Sequence, residues 1–395
     1  MTDAAAQPKR TGRVLRAVGR CCALAIATLL VLPVLPAPWT AVVPAAASPY
    51  VAVCSVIAAR ALGWVALLAL PVLVLAFLRP RWFCRHACPV GLLLEVVGWL
   101  RPSARRHTPR LPAIGQWLAL LTLGAALVGY PLFLWLDPLA LFTGFVGAAR
   151  EPFGVAWLVG AGLPVVLLLG LLVPNLWCAR LCPLGATQDL LAALKRLVWR
   201  RDAAPSATRR ALARRSVLAM GMGAVCGAGL VRRARAAAIR PPGAVDEARF
   251  TGLCIRCGNC MRACPSEILH PDVGDHGVAS FLTPVARFDH KHCVADCTAC
   301  THVCPSGAIR PVAPEQKATV FMGIARVDAE LCVLSQDMDC AACVQACPYG
   351  AVEPKFDEDT YVSSIAIDAS TCTGCGACEV ACYTTPKKAI VVTPR

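Results

Sequence analysis

The chain has 395 residues, 57% of them hydrophobic and 16% charged, with a formal net charge of +15. That is too apolar for an ordinary soluble protein and long enough for two domains or more, so a membrane part is expected. The charge is split: residues 1–239 carry 26 Lys and Arg against 6 acidic residues, whereas residues 240–395 carry 13 against 18. The basic half reads as membrane-flanking charge, and nucleic acid is not implied.

Residues 1–20 form a polar lead with Lys9, Arg10, Arg13, Arg16 and Arg20, expected in the cytoplasm. Residues 21–43 are apolar over about 20 residues, the length of a bilayer-spanning helix, with Pro33, Pro36 and Pro38 bending or ending its outer part. A second span is expected over 61–78, a third over 113–135 and a fourth over 155–175. Arginines crowd the loop after the second span (Arg79, Arg81, Arg85, Arg101, Arg105, Arg106, Arg110). The loop after the fourth holds Arg180, Lys195, Arg196, Arg200, Arg201, Arg209, Arg210, Arg214 and Arg215, whereas the loop with Asp137, Arg150 and Glu151 is nearly neutral. This asymmetry places the amino terminus and the basic loops in the cytoplasm.

Both basic loops carry one motif. Cys84-Arg-His-Ala-Cys88-Pro89 and Cys178-Ala-Arg-Leu-Cys182-Pro183 each follow a Trp, and an acidic residue stands seven beyond each second Cys, at Glu95 and Asp189. Residues 21–200 thus read as a four-helix membrane domain with a duplicated C-x3-C-P unit. The four thiols suit a shared cluster, a reversible dithiol or reduced structural cysteines. Glu95, Asp189 and His86 fit salt-bridged or solvated helix faces better than a quinol-linked proton relay. Cys21, Cys22, Cys54 and Cys226 lie in or beside apolar runs and read as buried packing residues.

Residues 201–238 comprise a basic stretch and a fifth helix of the twin-arginine signal or anchor type, with Arg214-Arg215-Ser216-Val217-Leu218 followed by an apolar run to Val231. Two arginines before a helix by chance is the plainer alternative. Arg232, Arg233 and Arg235 beyond the run oppose translocation. Either way, an odd number of spans from a cytoplasmic start puts the carboxy-terminal part in the periplasm. Residues 239–250 are a linker with Pro241, Pro242 and Gly243.

Residues 251–395 carry sixteen of the 24 cysteines, in four groups: Cys254, Cys257, Cys260 and Cys264; Cys293, Cys297, Cys300 and Cys304; Cys332, Cys340, Cys343 and Cys347; Cys372, Cys375, Cys378 and Cys382. The spacing lets three thiolates of one loop wrap a cubane while the fourth ligates a neighbouring cluster, so four 4Fe-4S clusters are expected on an α+β, bacterial-ferredoxin-like fold. Disulfides explain the number but not the rhythm, and zinc sites lack the third close Cys. Gly258, Gly374 and Gly376 between ligands would let backbone N–H groups approach sulfur. The pairs Phe288-Asp289, Val327-Asp328 and Ile367-Asp368 precede three of the groups, and Ile268, Ile309, Val352 and Ile390 follow the four, so each unit reads as strand, ligand loop, short helix, strand. No haem-attachment, dinucleotide or phosphate-loop sequence occurs, which argues against NADH or ATP chemistry.

With its two C-x3-C-P motifs, the membrane half resembles the NapH-type quinol dehydrogenase component of periplasmic nitrate reductase systems. The part from Arg214 onward, with its twin-arginine start and four cysteine groups, resembles the NapG and MauM ferredoxin-type proteins, so the chain looks like a fusion of the two. It departs from NapH in lacking a cytoplasmic two-cluster segment of its own after Cys182. The resemblance implies a multi-pass bacterial inner-membrane protein in contact with lipid and the quinone pool. It would pass electrons from quinol to a periplasmic c-type cytochrome, reductase or dehydrogenase; a role in assembling or sensing a periplasmic metalloenzyme is the alternative. By analogy with four-cluster relatives it also implies that Cys382 completes the set Cys254, Cys257 and Cys260, and Cys264 the set Cys372, Cys375 and Cys378. Likewise Cys347 would join Cys293, Cys297 and Cys300, and Cys304 would join Cys332, Cys340 and Cys343.

Overall fold

The computed structural model describes residues 10–32, 38–99, 112–149, 157–199, 207–233, 238–336, 338–358 and 361–395. The expectations for Lys9, Pro33, Pro36, Arg101, Arg105, Arg106, Arg110, Arg150, Glu151, Arg200, Arg201 and Arg235 fall outside the described residues. The chain is a helical amino-terminal region followed by a carboxy-terminal, cysteine-rich region of short helices and strands, the part expected to be ferredoxin-like.

Each half of the helical region follows one plan. The first half has α1 (Arg10–Val31), α2 (Val42–Ala46), α3 (Pro49–Ala59), α4 (Leu70–Leu78), α5 (Trp82–His86) and α6 (Pro89–Trp99). The second has α7 (Ile114–Leu127), α8 (Pro138–Ala148), α9 (Trp157–Gly160), α10 (Gly162–Leu172), a π-helical turn (Trp177–Leu181) and α11 (Pro183–Trp199). Helices α3 and α8 both open on a proline behind a capping oxygen, from Ser48 and Asp137, because proline fits the first helical position where an N–H has no partner. Packing is reciprocal: α6 lies on α10 and α11 on α4, while α6 also meets α8 and α11 meets α3. The repeat extends to the backbone, since Arg81 and Asn175, each three residues before the first Cys of its motif, adopt positive φ of 54° and 64°. Duplication therefore includes a buried helix, α3 or α8, at positions that read as loop from the sequence.

The four expected spans are interrupted. Helix α1 ends at Val31 before the proline-rich stretch, α4 is entered through a 3-10 turn and Pro71, α7 stops at Leu127 ahead of Gly129 and Pro131, and α9 and α10 are separate. Among the described residues no single helix is long and apolar enough to cross a membrane, although the bent pair Trp39–Ala46 and Pro49–Ala59, at 99°, meets that test by length and composition. The polar lead is also revised, since residues 10–20 belong to α1.

The 27-residue α12 (Ala207–Arg233) lies along α7. Contact is backbone to backbone: a Cβ at Gly223 would fall on the carbonyl of Leu121, and one at Gly124 on the carbonyl of Met220. Small residues allow this approach, as in helix pairs of membrane proteins. Of the four cysteines expected to be buried, Cys54 is, while Cys21, Cys22 and Cys226 are exposed on outward helix faces. An apolar run therefore does not mark burial inside the protein here.

The ferredoxin region is built of short elements: α13 (Glu247–Leu253), α14 (Asn259–Ala263), β1 (Leu269–Pro271), β2 (Pro284–Ala286), β3 (Ile324–Val327), α15 (Ala342–Ala346), β4 (Val352–Asp357), β5 (Val362–Ile367), α16 (Ala377–Ala381) and β6 (Ile390–Thr393). The pairs β1–β2, β3–β6 and β4–β5 are antiparallel, and Ala244 bridges Ile309. The strand leaving cysteine group one thus pairs with the strand entering group two, and the residues before group one pair with those after group two. Groups three and four repeat this scheme.

This region docks on the helices through its first group. The Asn259 amide donates to the Ala41 carbonyl at 3.0 Å, and the Arg256 guanidinium stacks 5.1 Å from the Trp135 ring. Phe250, Leu253, Ile255 and Cys257 share one core with Tyr50, Leu134, Leu139 and Phe142.

Candidate iron-sulfur sites

Four cysteine cradles follow from the strand pairing. Cys254, Cys257, Cys260 and Cys304 line a cavity of about 380 Å³, Cys332, Cys340, Cys343 and Cys382 one of about 360 Å³, and Cys347, Cys372, Cys375 and Cys378 one of about 290 Å³. Cys264 joins Cys293, Cys297 and Cys300 within electrostatic reach of one another. The pairing implied by four-cluster relatives is therefore corrected: groups one and two exchange their fourth cysteines, as do groups three and four. Groups one and two share paired strands, as do groups three and four, and these carry each fourth Cys to its neighbour's loop.

The donor geometry fits a cluster. Among the described residues no three His, Cys, Asp or Glu side chains converge as a single metal ion requires; the thiols stand around cavities instead. The peptide N–H groups of Ile309, Ala351 and Ala325 donate to the sulfurs of Cys304, Cys347 and Cys372 at 3.4, 3.3 and 3.5 Å, as acceptor-rich cluster ligands demand. Burial pushes the thiols of Cys257, Cys300 and Cys378 up to about 12. At Cys382 burial acts in the same direction, but the Thr384 hydroxyl and the N–H groups of Thr384, Ala389 and Ile390 outweigh it and bring the thiol below its ordinary value.

Two of the aspartates before the ligand loops, Asp328 and Asp368, act through both backbone and side chain, their carboxylates accepting the N–H groups of Glu330 and Ser370. The Asp328 and Asp368 carbonyls accept the N–H groups of Cys332 and Cys372 at 3.1 and 2.9 Å, closing one turn ahead of each loop. Phe250 does the same for Cys254, so the first group keeps the turn without the Asp. Two of the glycines between ligands are required by close packing. Gly374 and Gly376 have φ of 73° and 82°, and a Cβ on them would strike the Gly323 backbone and the Phe288 ring. One residue was not legible at all: Lys317, buried beside Cys293.

The cradles form a row. The first sits against the helices and interlocks with the second through Cys264 and Cys304. The second meets the fourth where Tyr349 donates to the Ala295 carbonyl at 3.5 Å. The fourth and third interlock through Cys347 and Cys382, and the third ends the row beside Tyr383, which is 59% exposed.

In the helical half, Cys84, Cys88, Cys178 and Cys182 come together, each pair within electrostatic reach. The N–H of Gly185 faces the Cys182 sulfur at 3.5 Å, and Gly91 does the same for Cys88, so both following helices point their amino ends at thiols. Gln188 donates to the Cys84 sulfur at 3.1 Å. Glu95 pairs with Arg20, and Asp189 accepts two hydrogen bonds from Arg81, at 2.8 and 2.6 Å, across the two halves. His86 stacks on Trp82 and contacts its carbonyl at 3.0 Å. All three polar residues thus have structural partners.

Comparison with known proteins gives the same division. The family described as a 4Fe-4S dicluster domain matches residues 253–308, 292–351 and 338–386, and the family described as a 4Fe-4S binding domain matches 61–107 and 153–201, one C-x3-C-P motif in each. The methylamine utilization ferredoxin-type protein MauM of Methylophilus methylotrophus is 37% identical over 174 residues, covering 42% of this chain and 74% of its own length. The ferredoxin-type protein NapG of Escherichia coli (strain K12) is 31% identical over 195 residues, 46% of this chain and 84% of its own. The ferredoxin-type protein NapH of Haemophilus influenzae is 33% identical over 131 residues, 32% of this chain and 43% of its own. No solved structure matches. The dicluster cysteines bind 4Fe-4S clusters, and the chain belongs to the NapG and MauM family of ferredoxin-type electron-transfer proteins.

Proposed function

We propose that this protein takes electrons from membrane quinol and delivers them, through four 4Fe-4S clusters, to a periplasmic redox partner such as a c-type cytochrome, a reductase or a dehydrogenase. The observation that carries this reading is the row of cradles, which begins on the helical half and ends at a solvent-facing side chain. The four cradles described above would hold one cluster each, and Cys84, Cys88, Cys178 and Cys182 would hold a fifth between the two halves. When bound, each cluster takes up and releases one electron at a time. The chain's own residues bury the thiols, donate N–H groups to sulfur and fix the order of the cradles.

A bilayer location is supported by outward-facing apolar side chains on several helices: Ile26 and Leu29 on α1, Val74 and Leu78 on α4, Val165 and Leu168 on α10, and Val217, Leu218 and Val225 on α12. The sidedness has support too. Arg20 lies at the C-x3-C-P end of α1, beside Glu95, while the Leu30 carbonyl accepts from Thr40 next to the ferredoxin contact at Ala41. Ten helical residues separate these ends by about 15 Å. The ferredoxin region therefore docks on the end opposite the basic, cytoplasm-facing loops, in keeping with export of α12 and the ferredoxin region under the Arg214-Arg215 signal.

The test is anaerobic: the full chain in proteoliposomes is offered a reduced quinol analogue and then oxidised cytochrome c. Cluster reduction followed by reoxidation at turnover rates is expected. Clusters that dithionite reduces but quinol does not would overturn the reading.

A further inference from the structure

Lys317 lies on the 3-10 turn Pro314–Thr319, in the segment joining the two dicluster units and outside every cysteine group. Its side chain is only 4% exposed. The Nζ atom donates to the Cys293 sulfur at 3.2 Å, to the Val294 carbonyl at 2.8 Å and to the Cys297 carbonyl. Three acceptors around one nitrogen require three N–H groups, which the ammonium has and the neutral amine lacks. A full positive charge is thus held against the ligand loop of the second cradle.

Its bonds to the Val294 and Cys297 carbonyls brace the ligand loop, as Lys388 does at the Cys382 carbonyl, but its contact with the Cys293 sulfur adds a charge to the ligand itself. The other cradles meet sulfur with neutral donors: the N–H of Ile309 at Cys304, those of Ala325 and Ala351 at Cys372 and Cys347, and the Thr384 hydroxyl at Cys382. Arg262, near the first cradle, donates to the Cys257 carbonyl. Reduction adds one negative charge to a cluster, and a cation at hydrogen-bond distance in a buried site favours the more negative state.

We propose that Lys317 raises the reduction potential of the cluster held by Cys264, Cys293, Cys297 and Cys300, and makes the second cradle the place where an electron rests between arrival from the helices and departure toward the fourth and third cradles. The inference rests on the cluster assignment of the proposed function, and the two fail separately. An iron content in the wild-type protein well below about 16 per chain would remove the assignment before any variant is compared.

The experiment is an anaerobic redox titration of the full chain, followed by electron paramagnetic resonance, for wild type, Lys317→Met, Lys317→Gln and Lys317→Arg. The second cluster's signal is identified by its loss in Cys297→Ser. In the Met and Gln variants that one midpoint is expected to shift downward with iron content unchanged, while Arg holds it near the wild-type value. Unmoved midpoints at full iron content, an equal shift of all clusters, or loss of about four irons in both Met and Gln variants would overturn the proposal.

Discussion

The backbone N–H of Cys293 donates to the carbonyl of Cys375 at 2.9 Å, joining a ligand loop of the second cysteine group to one of the fourth. This bond sits where the two dicluster units meet, so the four cradles form one row. Each unit is closed internally by its own paired strands and exchanged cysteines, and the units join through this bond, the Tyr349 hydroxyl and a shared core in which Ile268, Phe288 and Cys300 pack with Met322, Ala377 and Val392.

The exchange of fourth cysteines within consecutive groups predicts how paired substitutions combine. Cys257→Ser with Cys304→Ser removes two ligands from one cradle, so the double variant should lose about the same four irons as either single variant. Cys257→Ser with Cys382→Ser strikes two cradles and should lose about eight. Iron and sulfide analysis of anaerobically purified protein checks this; the opposite ranking would restore the pairing of group one with group four.

Much of this was legible because ligand spacing is a local property. Three cysteines within seven to twelve residues fix a loop, and the number of such triplets fixes how many loops. The partner of each fourth cysteine was not, because it depends on β1 meeting β2 and β4 meeting β5, contacts between three- to six-residue strands that carry little periodicity. The C-x3-C-P duplication was visible as a motif, whereas α3 and α8, at eleven residues each, are too short to stand out as spans. Lys317 was invisible because its function arises from where a 3-10 turn folds, and its neighbours Glu315, Gln316 and Thr319 read as surface.

The seam between α7 and α12 predicts a sharp dependence on side-chain size. Gly223→Ala places a methyl group on the Leu121 carbonyl and forces the helices apart, an overpacking cost of about 1–3 kcal/mol. Gly221, on the same helix, has nothing within 4 Å of its Cβ direction, so Gly221→Ala should be neutral or slightly stabilising. Thermal unfolding in detergent compares the two, and equal behaviour would mean that α12 does not lie along α7.

Arg81 and Asp189 connect the repeats, with side chains 33% and 28% exposed. The two-point contact requires the planar guanidinium, so Arg81→Lys should behave like Arg81→Ala. Partial exposure limits the coupling in a double-mutant cycle to about 1 kcal/mol. The same pair flanks Cys84 and Cys178, so their cluster signal, where bound, should broaden in either variant. An unchanged signal together with zero coupling would place the pair outside the site.

Cluster loading should depend on pH in one direction. Burial raises the metal-free thiols of Cys257, Cys300 and Cys378 to about 12, so at neutral pH each carries a proton that iron must displace. The loaded state holds thiolates and the empty state holds thiols; raising the pH removes the protons that compete with iron and so favours loading. Anaerobic reconstitution with ferrous iron and sulfide should therefore be more complete at pH 9 than at pH 7, with protons released on binding. A yield independent of pH would show that the thiols are already ionised in the empty protein, against the burial seen around them.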